Sequence, residues 1–270
     1  MEGDGAVGGE RRGKVAPQGA PEAQGKQRPP FFLASRADLE QRSFVLSGPE
    51  GRHAATVRRL APGERADVTD GAGTTAECVV RSVRPGEVEL EVLARRAEPA
   101  AEPRIVVVQA IPKGDRAELA VEIMTEVGVD GVVAWQAERC VARWRADRAD
   151  RSLGRWQATA REAAKQARRP WIPEVTGPED TPAVERRVAA ARLAILLDPS
   201  APAALAGTSM PDRGEILVIV GPEGGVSPAE AGALAQAGAV AARLGPTVLR
   251  ASSAGAVAAA LVLARTPRWA

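Results

Sequence analysis

The 270-residue chain has no tyrosine, one histidine, two cysteines and only 3% aromatic residues. A core built with so few rings must be filled by Ala, Val and Leu, and an apolar content of 45% supplies enough of them to exclude disorder throughout. Cys78 and Cys140 have no metal-ligand spacing around them. That argues against a disulfide framework and against a metal site, and it fits a reducing compartment. The apolar runs reach only about ten residues, too short to span a bilayer. No charged-then-apolar segment opens the chain, so the expected location is the cytoplasm, away from membranes.

Excess charge of either sign is also absent: the net charge is +2. The average hides an asymmetry. Residues 139–170 hold nine arginines and one lysine against three carboxylates, a net +7, while the rest of the chain has 26 basic and 31 acidic residues, a net −5. One basic segment on a mildly acidic protein suggests a polyanionic partner, although a solvated arginine-rich helix would read the same way.

Residues 1–30 are Gly, Pro, Gln, Ala and charge without apolar periodicity, the pattern of a disordered tail. From Phe31 to about Leu93 short strand-like runs (Ser43–Leu46, Arg65–Val68, Ala76–Val83, Glu87–Leu93) alternate with Pro62-Gly63, Asp70-Gly71 and Pro85-Gly86. Turn dipeptides at that density predict a small β-barrel over residues 31–97. Ala97–Pro103 reads as a linker. From Arg104 the rhythm changes to strand, loop, helix. Ile105–Val108, Val132–Trp135, Leu193–Leu197, Ile216–Val220 and Val240–Leu244 are apolar enough for buried strands. Asp115 with Glu118 can cap a helix whose face is Leu119, Ile123, Met124 and Val127, ending at Gly128. Arg155–Arg169 is a second helix, with Trp156, Ala160, Ala163 and Ala167 on one side and Arg161, Lys165, Arg168 and Arg169 toward the other. Ser227, Pro228 and Glu230 supply cap, first-turn proline and capping-box acid for a helix stopping at Gly238. Ser252–Arg265 is apolar almost all round, hence buried. The alternation predicts an α/β fold with a mostly parallel sheet over residues 104–270.

Two stretches carry the chemistry. The first is Ile216–Val220 followed by Gly221–Gly225, GPEGG, and the capped helix. Glycines after a parallel strand let backbone N–H groups approach a ligand. The spacing matches neither a P-loop nor a dinucleotide fingerprint. The second is LGPTVLRASSAG, Leu244–Gly255, which places Arg250 between a turn and the last helix.

With PFF near the start, HAATVRRL at 53–60, KGDR at 113–116, TEVGVDGVVAWQAERCV at 125–141, RWQATAREAAKQARRPWIPEV, VGPEGGVSPAE and LGPTVLR, the chain resembles the ribosomal RNA small-subunit methyltransferase E family of the SPOUT (trefoil-knotted) superfamily. The resemblance implies a SPOUT trefoil-knot domain preceded by a small PUA-like barrel. It also implies a homodimer that uses S-adenosylmethionine, without a metal, to methylate N3 of one uridine, at position 1498 of 16S ribosomal RNA in the small subunit. The cofactor would lie between three segments: Leu197 and the segment after it; the loop of Gly221, Pro222, Glu223, Gly224 and Gly225; and the stretch Leu244–Arg250, with Leu244, Gly245, Val248, Leu249 and Arg250 as its contacts, while a serine caps the last helix and Ser253 bonds the ligand. The family often carries Arg where Thr247 stands and Thr-Glu-Thr-Ala where Ala251-Ser252-Ser253-Ala254 stands, so a glutamate's role there has no counterpart in this chain.

The sulfonium methyl is already activated, so an enzyme of this kind has to orient N3 and manage its proton. Glu223 is the candidate base or orienter, and Arg250 the candidate stabiliser of charge on the uracil carbonyls. RNA contacts are expected at Arg58, Arg139, Arg161, Lys165, Arg168 and Arg169, with Trp144 and Trp156 as candidate stacking platforms. His53 lies outside the catalytic part and reads as an RNA-contacting or structural residue. Competing readings are a non-catalytic RNA-binding assembly factor and a ribose 2′-O-methyltransferase of the same superfamily.

Overall fold

A computed structural model describes residues 28–114 and 116–269. The expected tail over residues 1–30 falls almost wholly outside these residues, as does the Asp115 cap.

The N-terminal part runs β1 (Phe31–Leu33), α1 (Arg36–Leu39), β2 (Ser43–Leu46), α2 (Gly48–Arg52), a π-helical turn (His53–Val57), β3 (Arg65–Thr69), β4 (Thr74–Arg84) and β5 (Glu87–Ala97). Its sheet has the order β1-β3-β4-β5-β2 and is antiparallel except for β1 on β3. Alternation sets its inner face: Ala76, Cys78 and Val80 of β4 and Val88 and Leu90 of β5 are buried against Phe32, Phe44, Leu46 and Val68. β5 extends to Ala97, which pairs with Thr74, so the segment expected to be a linker begins inside a strand.

The second part runs β6 (Arg104–Ala110), α3 (Arg116–Val127), β7 (Gly131–Trp135), α4 (Ala146–Gln166), β8 (Glu174–Glu179), α5 (Thr181–Ala190), β9 (Leu193–Leu197), β10 (Glu215–Val220), α6 (Pro228–Gln236), β11 (Val240–Ala242) and α7 (Ala251–Leu263). All six strands are parallel, in the order β11-β9-β10-β6-β7-β8. Right-handed crossovers place α3 and α4 on one face and α5 and α6 on the other. The packing agrees: α3 lies against α4 and α7, and α5 against α6. Full burial on both faces explains why β6, β7 and β10 read as unbroken apolar runs.

Several expected details change. α3 buries Ala117, Ala120, Val121 and Met124 and leaves Leu119 outside. α4 begins nine residues earlier than its apolar period suggested, because its first turns are charged and solvated. β8 and α5 were not foreseen: Gly177 and Pro178 disguise the strand, which lies at the sheet edge where proline is tolerated. Ser227 and Glu230 do form the expected capping box with Pro228 in the first turn. α7 does not have a serine cap. Its N-cap is Arg250, with no side-chain cap hydrogen bond.

The two parts meet at the C-terminal end of α4. Lys165 Nζ lies 2.6 Å from Glu50 and 3.1 Å from Glu162, and Arg168 pairs with Asp67. Burial pushes the Asp67 carboxyl above its usual range although Arg168 opposes this. The Pro170 carbonyl accepts from Gly73 N (3.0 Å) and Thr69 Oγ1 (3.2 Å), and Trp171 Nε1 donates to the Glu98 carbonyl (3.0 Å).

Candidate functional site

β9, β10 and β11 end side by side, and the three segments that leave their C-terminal ends converge on one cavity of about 530 Å³. Ligand sites of parallel α/β sheets lie in this position, where loops diverge from strand ends and expose backbone groups. Of the residues expected to hold a cofactor, Leu197, Gly221, Pro222, Glu223, Gly225, Leu244, Gly245, Val248, Leu249 and Arg250 line it. Gly224 and Ser253 do not. Gly224 faces the opposite way: a Cβ there would sit 3.2 Å from the Arg139 carbonyl oxygen. Ser253 points to solvent, and the helical turn puts Ser252 and Ala254 on the cavity instead.

Sequence reasoning missed Arg116, which also lines the cavity, and did not single out Asp198 and Thr247, which line it within two of the expected segments. Asp198 opens the turn after β9 and accepts from Ser200 N and Oγ, both at 2.7 Å. A polar residue directly after a buried parallel strand was the available signal. Arg116 starts α3, inside a segment noted only for its family resemblance.

A ligand has room in this cradle. At Gly225 (φ +74°) and Gly245 an added Cβ would meet nothing within 4 Å, so both backbones border open space. Cavity walls are apolar at Leu196, Val220, Val226 and Leu249 and polar at Asp198, Glu223, Arg116 and Arg250. A molecule with an apolar or aromatic body and charged ends matches that distribution. Among the described residues Arg250 has no carboxylate partner and its side chain is exposed, so solvent meets the cost that a buried position would have imposed. Glu223 Oε1 accepts from Lys113 N at 3.3 Å, which ties the glycine loop to the turn after β6.

Behind the loop, Glu230 is 7% exposed and acts as a junction. Its Oε1 accepts from Glu138 N (2.8 Å) and Thr181 Oγ1 (2.7 Å), and Thr181 in turn accepts from Trp135 Nε1 (3.2 Å). This holds the Glu138–Arg139 turn against the glycine loop, where Arg139 Nη1 lies 3.5 Å from the Gly224 carbonyl.

The expected RNA contacts separate into two groups. Arg58, Arg139 and Arg161 are exposed and have no carboxylate partner among the described residues. Lys165 and Arg168 form the ion pairs at the seam, and Arg169, mostly buried, donates to the Thr125 carbonyl (2.8 Å) beside Asp130. Burial lowers the Arg169 pKa to about 10. These three are held by the chain itself. Trp156 is 1% exposed, fills the core and offers bases no open face, whereas Trp144, packed edge-on to it at 5.1 Å, is only partly buried.

Known proteins show the same two parts. A family model described as an RNA methyltransferase domain matches residues 100–263, and one described as an RNA methyltransferase PUA domain matches residues 46–93. The ribosomal RNA small subunit methyltransferase E of Mycobacterium bovis is 47% identical over 229 residues, covering 83% of this chain and 87% of that protein. The Bacillus subtilis protein of the same name is 27% identical over 234 residues, covering 83% and 91%. A crystal structure of a ribosomal RNA small subunit methyltransferase E from Neisseria gonorrhoeae, bound to S-adenosyl methionine, superposes with a TM-score of 0.75 at 24% identity, over 87% of this chain and 97% of that one. Fold and cavity together define an RNA methyltransferase of SPOUT architecture with an N-terminal PUA-like domain. Within that class, the chain belongs to the ribosomal RNA small subunit methyltransferase E family.

Proposed function

We propose that this protein methylates N3 of a single uridine in the 16S ribosomal RNA of the small subunit, the family's uridine 1498, with S-adenosylmethionine as donor in the cytoplasm. The observation that carries the reading is the cavity at the ends of β9, β10 and β11, built from the three segments the family resemblance points to. S-adenosylmethionine supplies a methyl group on a sulfonium centre, already activated for transfer without a metal. The glycine-bordered backbone at Gly225 and Gly245 gives it space, Gly221 lets Val226 pack against the loop, and Leu197, Leu244 and Leu249 enclose its apolar surface. Arg250 and Arg116 stand on the cavity with no ion-pair partner among the described residues, suited to a uracil ring that gains negative charge as N3 loses its proton. Glu223 Oε2 makes no hydrogen bond among the described residues and is the candidate to accept that proton. Arg58, Arg139 and Arg161 contact the RNA backbone.

The chain works as a homodimer in this reading. α7 sends Ala258, Ala259, Val262 and Leu263 into its own core but leaves Ser253, Val257, Leu261 and Ala264 wholly or partly outside, a helical stripe of small and apolar residues. Light scattering is expected to give a dimer at micromolar concentration.

Methyl transfer to 30S subunits from a strain lacking the modification, followed by nucleoside mass spectrometry, tests the activity. N3-methyluridine is the expected product. A 2′-O-methylated nucleoside would move the chain to the ribose-modifying branch, and no product would leave an RNA-binding assembly role.

A further inference from the structure

A second concavity, of about 170 Å³, lies apart from the strand ends, between the N-terminal sheet and the end of α4. Arg28, Phe31, His53, Arg58, Gln166 and Arg168 form most of its wall. Three independent features coincide there.

The first is backbone strain. Arg59 (φ +51°) and Arg168 (φ +55°) are the only non-glycine residues with positive φ among the described residues. One directly follows a wall residue and the other is one. The π-helical turn also begins at this cavity, at His53. A left-handed arginine and a π-helical turn are both disfavoured conformations that persist where tertiary structure imposes them, and both concentrate at functional sites.

The second is charge. Lys165 and Arg168 are paired with three carboxylates, Glu50, Glu162 and Asp67, which leaves this floor one negative charge in excess. Arg28 and Arg58 are exposed, and their side chains make no hydrogen bond or ion pair among the described residues. These two guanidiniums, unpaired among the described residues, outweigh the excess carboxylate below them and bring the cluster to a net charge of +1.

The third is flat π surface. His53 is half-buried and packs edge-on to Phe32 with ring centroids 5.8 Å apart, and the Arg168 guanidinium lies 5.1 Å over the Phe31 ring. Gln166, exposed at the rim, brings one donor and one acceptor group on the same amide.

Cation and π surface interleaved around a volume of this size match one nucleotide of a single strand, which stacks its base and leaves its phosphate outside. We infer that this cavity is a nucleotide subsite for single-stranded RNA, in which a base enters against His53 and Arg168 while Arg28 and Arg58 hold its phosphodiester. The inference rests on the reading that the chain acts on RNA, but concerns a place remote from the methyl-transfer cavity. Because Glu50–Lys165 and Asp67–Arg168 hold the two parts together, a nucleotide bound here sets the register of the RNA relative to the cofactor cavity.

Fluorescence anisotropy with a labelled oligouridylate of about eight nucleotides, and with an RNA duplex, provides the test. Arg58→Ala should weaken binding and flatten the log affinity–log salt slope by about 0.7, the value for one phosphate contact on a single strand. His53→Ala should weaken it about tenfold with the slope unchanged, because stacking releases no counterions. Gln166→Ala, at an exposed position, supplies a second probe of the base pocket if loss of the Phe32 contact unfolds the His53 variant. Cofactor affinity should stay at the wild-type value in all three. Wild-type oligouridylate affinity and slope in both Arg58→Ala and Gln166→Ala overturns the subsite, as does a duplex bound as tightly as the single strand. Arg58-dependent binding by a wild-type protein that methylates no 30S subunit leaves the subsite standing and removes the enzymatic reading.

Discussion

Gly224 and Gly225 are neighbours in the loop after β10, but different surroundings require each of them. Gly225 has φ +74° with open cavity where a side chain would begin, so Gly225→Val strains the loop and fills cofactor space. Gly224→Val meets the Arg139 backbone instead. Calorimetry should show Gly225→Val losing at least about tenfold in S-adenosylmethionine affinity, since left-handed strain alone costs roughly 1–2 kcal/mol. Gly224→Val should keep cofactor affinity and lose RNA affinity; equal cofactor loss in both would contradict the different facings. Arg250 is argued at the same scale. Lysine keeps its charge but not the planar fork. Arg250→Lys is expected to lower single-turnover methylation by on the order of 10²-fold while cofactor affinity changes little, the pattern of an interaction made mainly in the transition state. Normal turnover with collapsed affinity would make Arg250 a binding residue. Cys78 belongs here too. Burial, reinforced by Asp67, pushes its thiol up to about 12, well above the ordinary thiol range. Because the folded pKa is the higher one, its stability contribution is intact below pH 9 and is lost as pH climbs toward 12, by about 1.4 kcal/mol per unit in between. Urea denaturation at pH 8 and pH 10 should show the wild type losing more stability than Cys78→Ala; equal losses would refute it.

Among the elements, the best-defined coupling runs through α6. Its capping-box acid, Glu230, was legible in the sequence as a helix start, and Ser227 N does donate to its Oε2 at 3.3 Å. Its second role was not legible, because Glu138 and Thr181 reach it from segments 92 and 49 residues away. Glu230→Ala should raise KM for 30S subunits severalfold with little change in cofactor affinity. Glu230→Gln retains an acceptor toward Glu138 N and Thr181 Oγ1 and should fall between the two. The decisive comparison is a double-mutant cycle with Arg139→Ala. If Glu230 acts by placing Arg139, its effect on KM disappears in the Arg139→Ala background, whereas a merely structural role gives additive losses.

At the scale of the whole molecule, the basic segment turns out to serve two purposes. Arg161 is exposed, but Lys165 is 7% exposed and lies against Glu50, itself 18% exposed, across the seam. Lys165→Met leaves that carboxylate without its partner and should destabilise the protein by on the order of 2–3 kcal/mol, toward the low side for breaking a buried pair because Glu50 keeps some solvent. Adding Glu50→Gln should restore most of the loss. Arg161→Ala should instead leave stability within about 0.5 kcal/mol and flatten the RNA salt slope by about 0.7–0.9. Unchanged slope in Arg161→Ala would make that arginine a solvated surface group.

Much of this architecture was determined locally. Continuous β-branched runs mark strands buried on both faces, Ser227-Pro228 with Glu230 marks a helix start, and glycines after Val220 mark a loop that approaches a ligand; each depends on residues within a turn or two of one another. The order β11-β9-β10-β6-β7-β8 was not determined that way, and it alone brings Leu197, Gly221 and Leu244 to one cavity. Nor could local pattern tell Arg161 from Lys165, which share a helix and a charge. Their difference comes from Glu50, 115 residues away from Lys165, and a buried ammonium needs such a partner whereas an exposed guanidinium is satisfied by water. Short-range sterics and periodicity are written in neighbouring residues. Ion pairing and cavity lining are set by distance in space, which only the packed chain supplies.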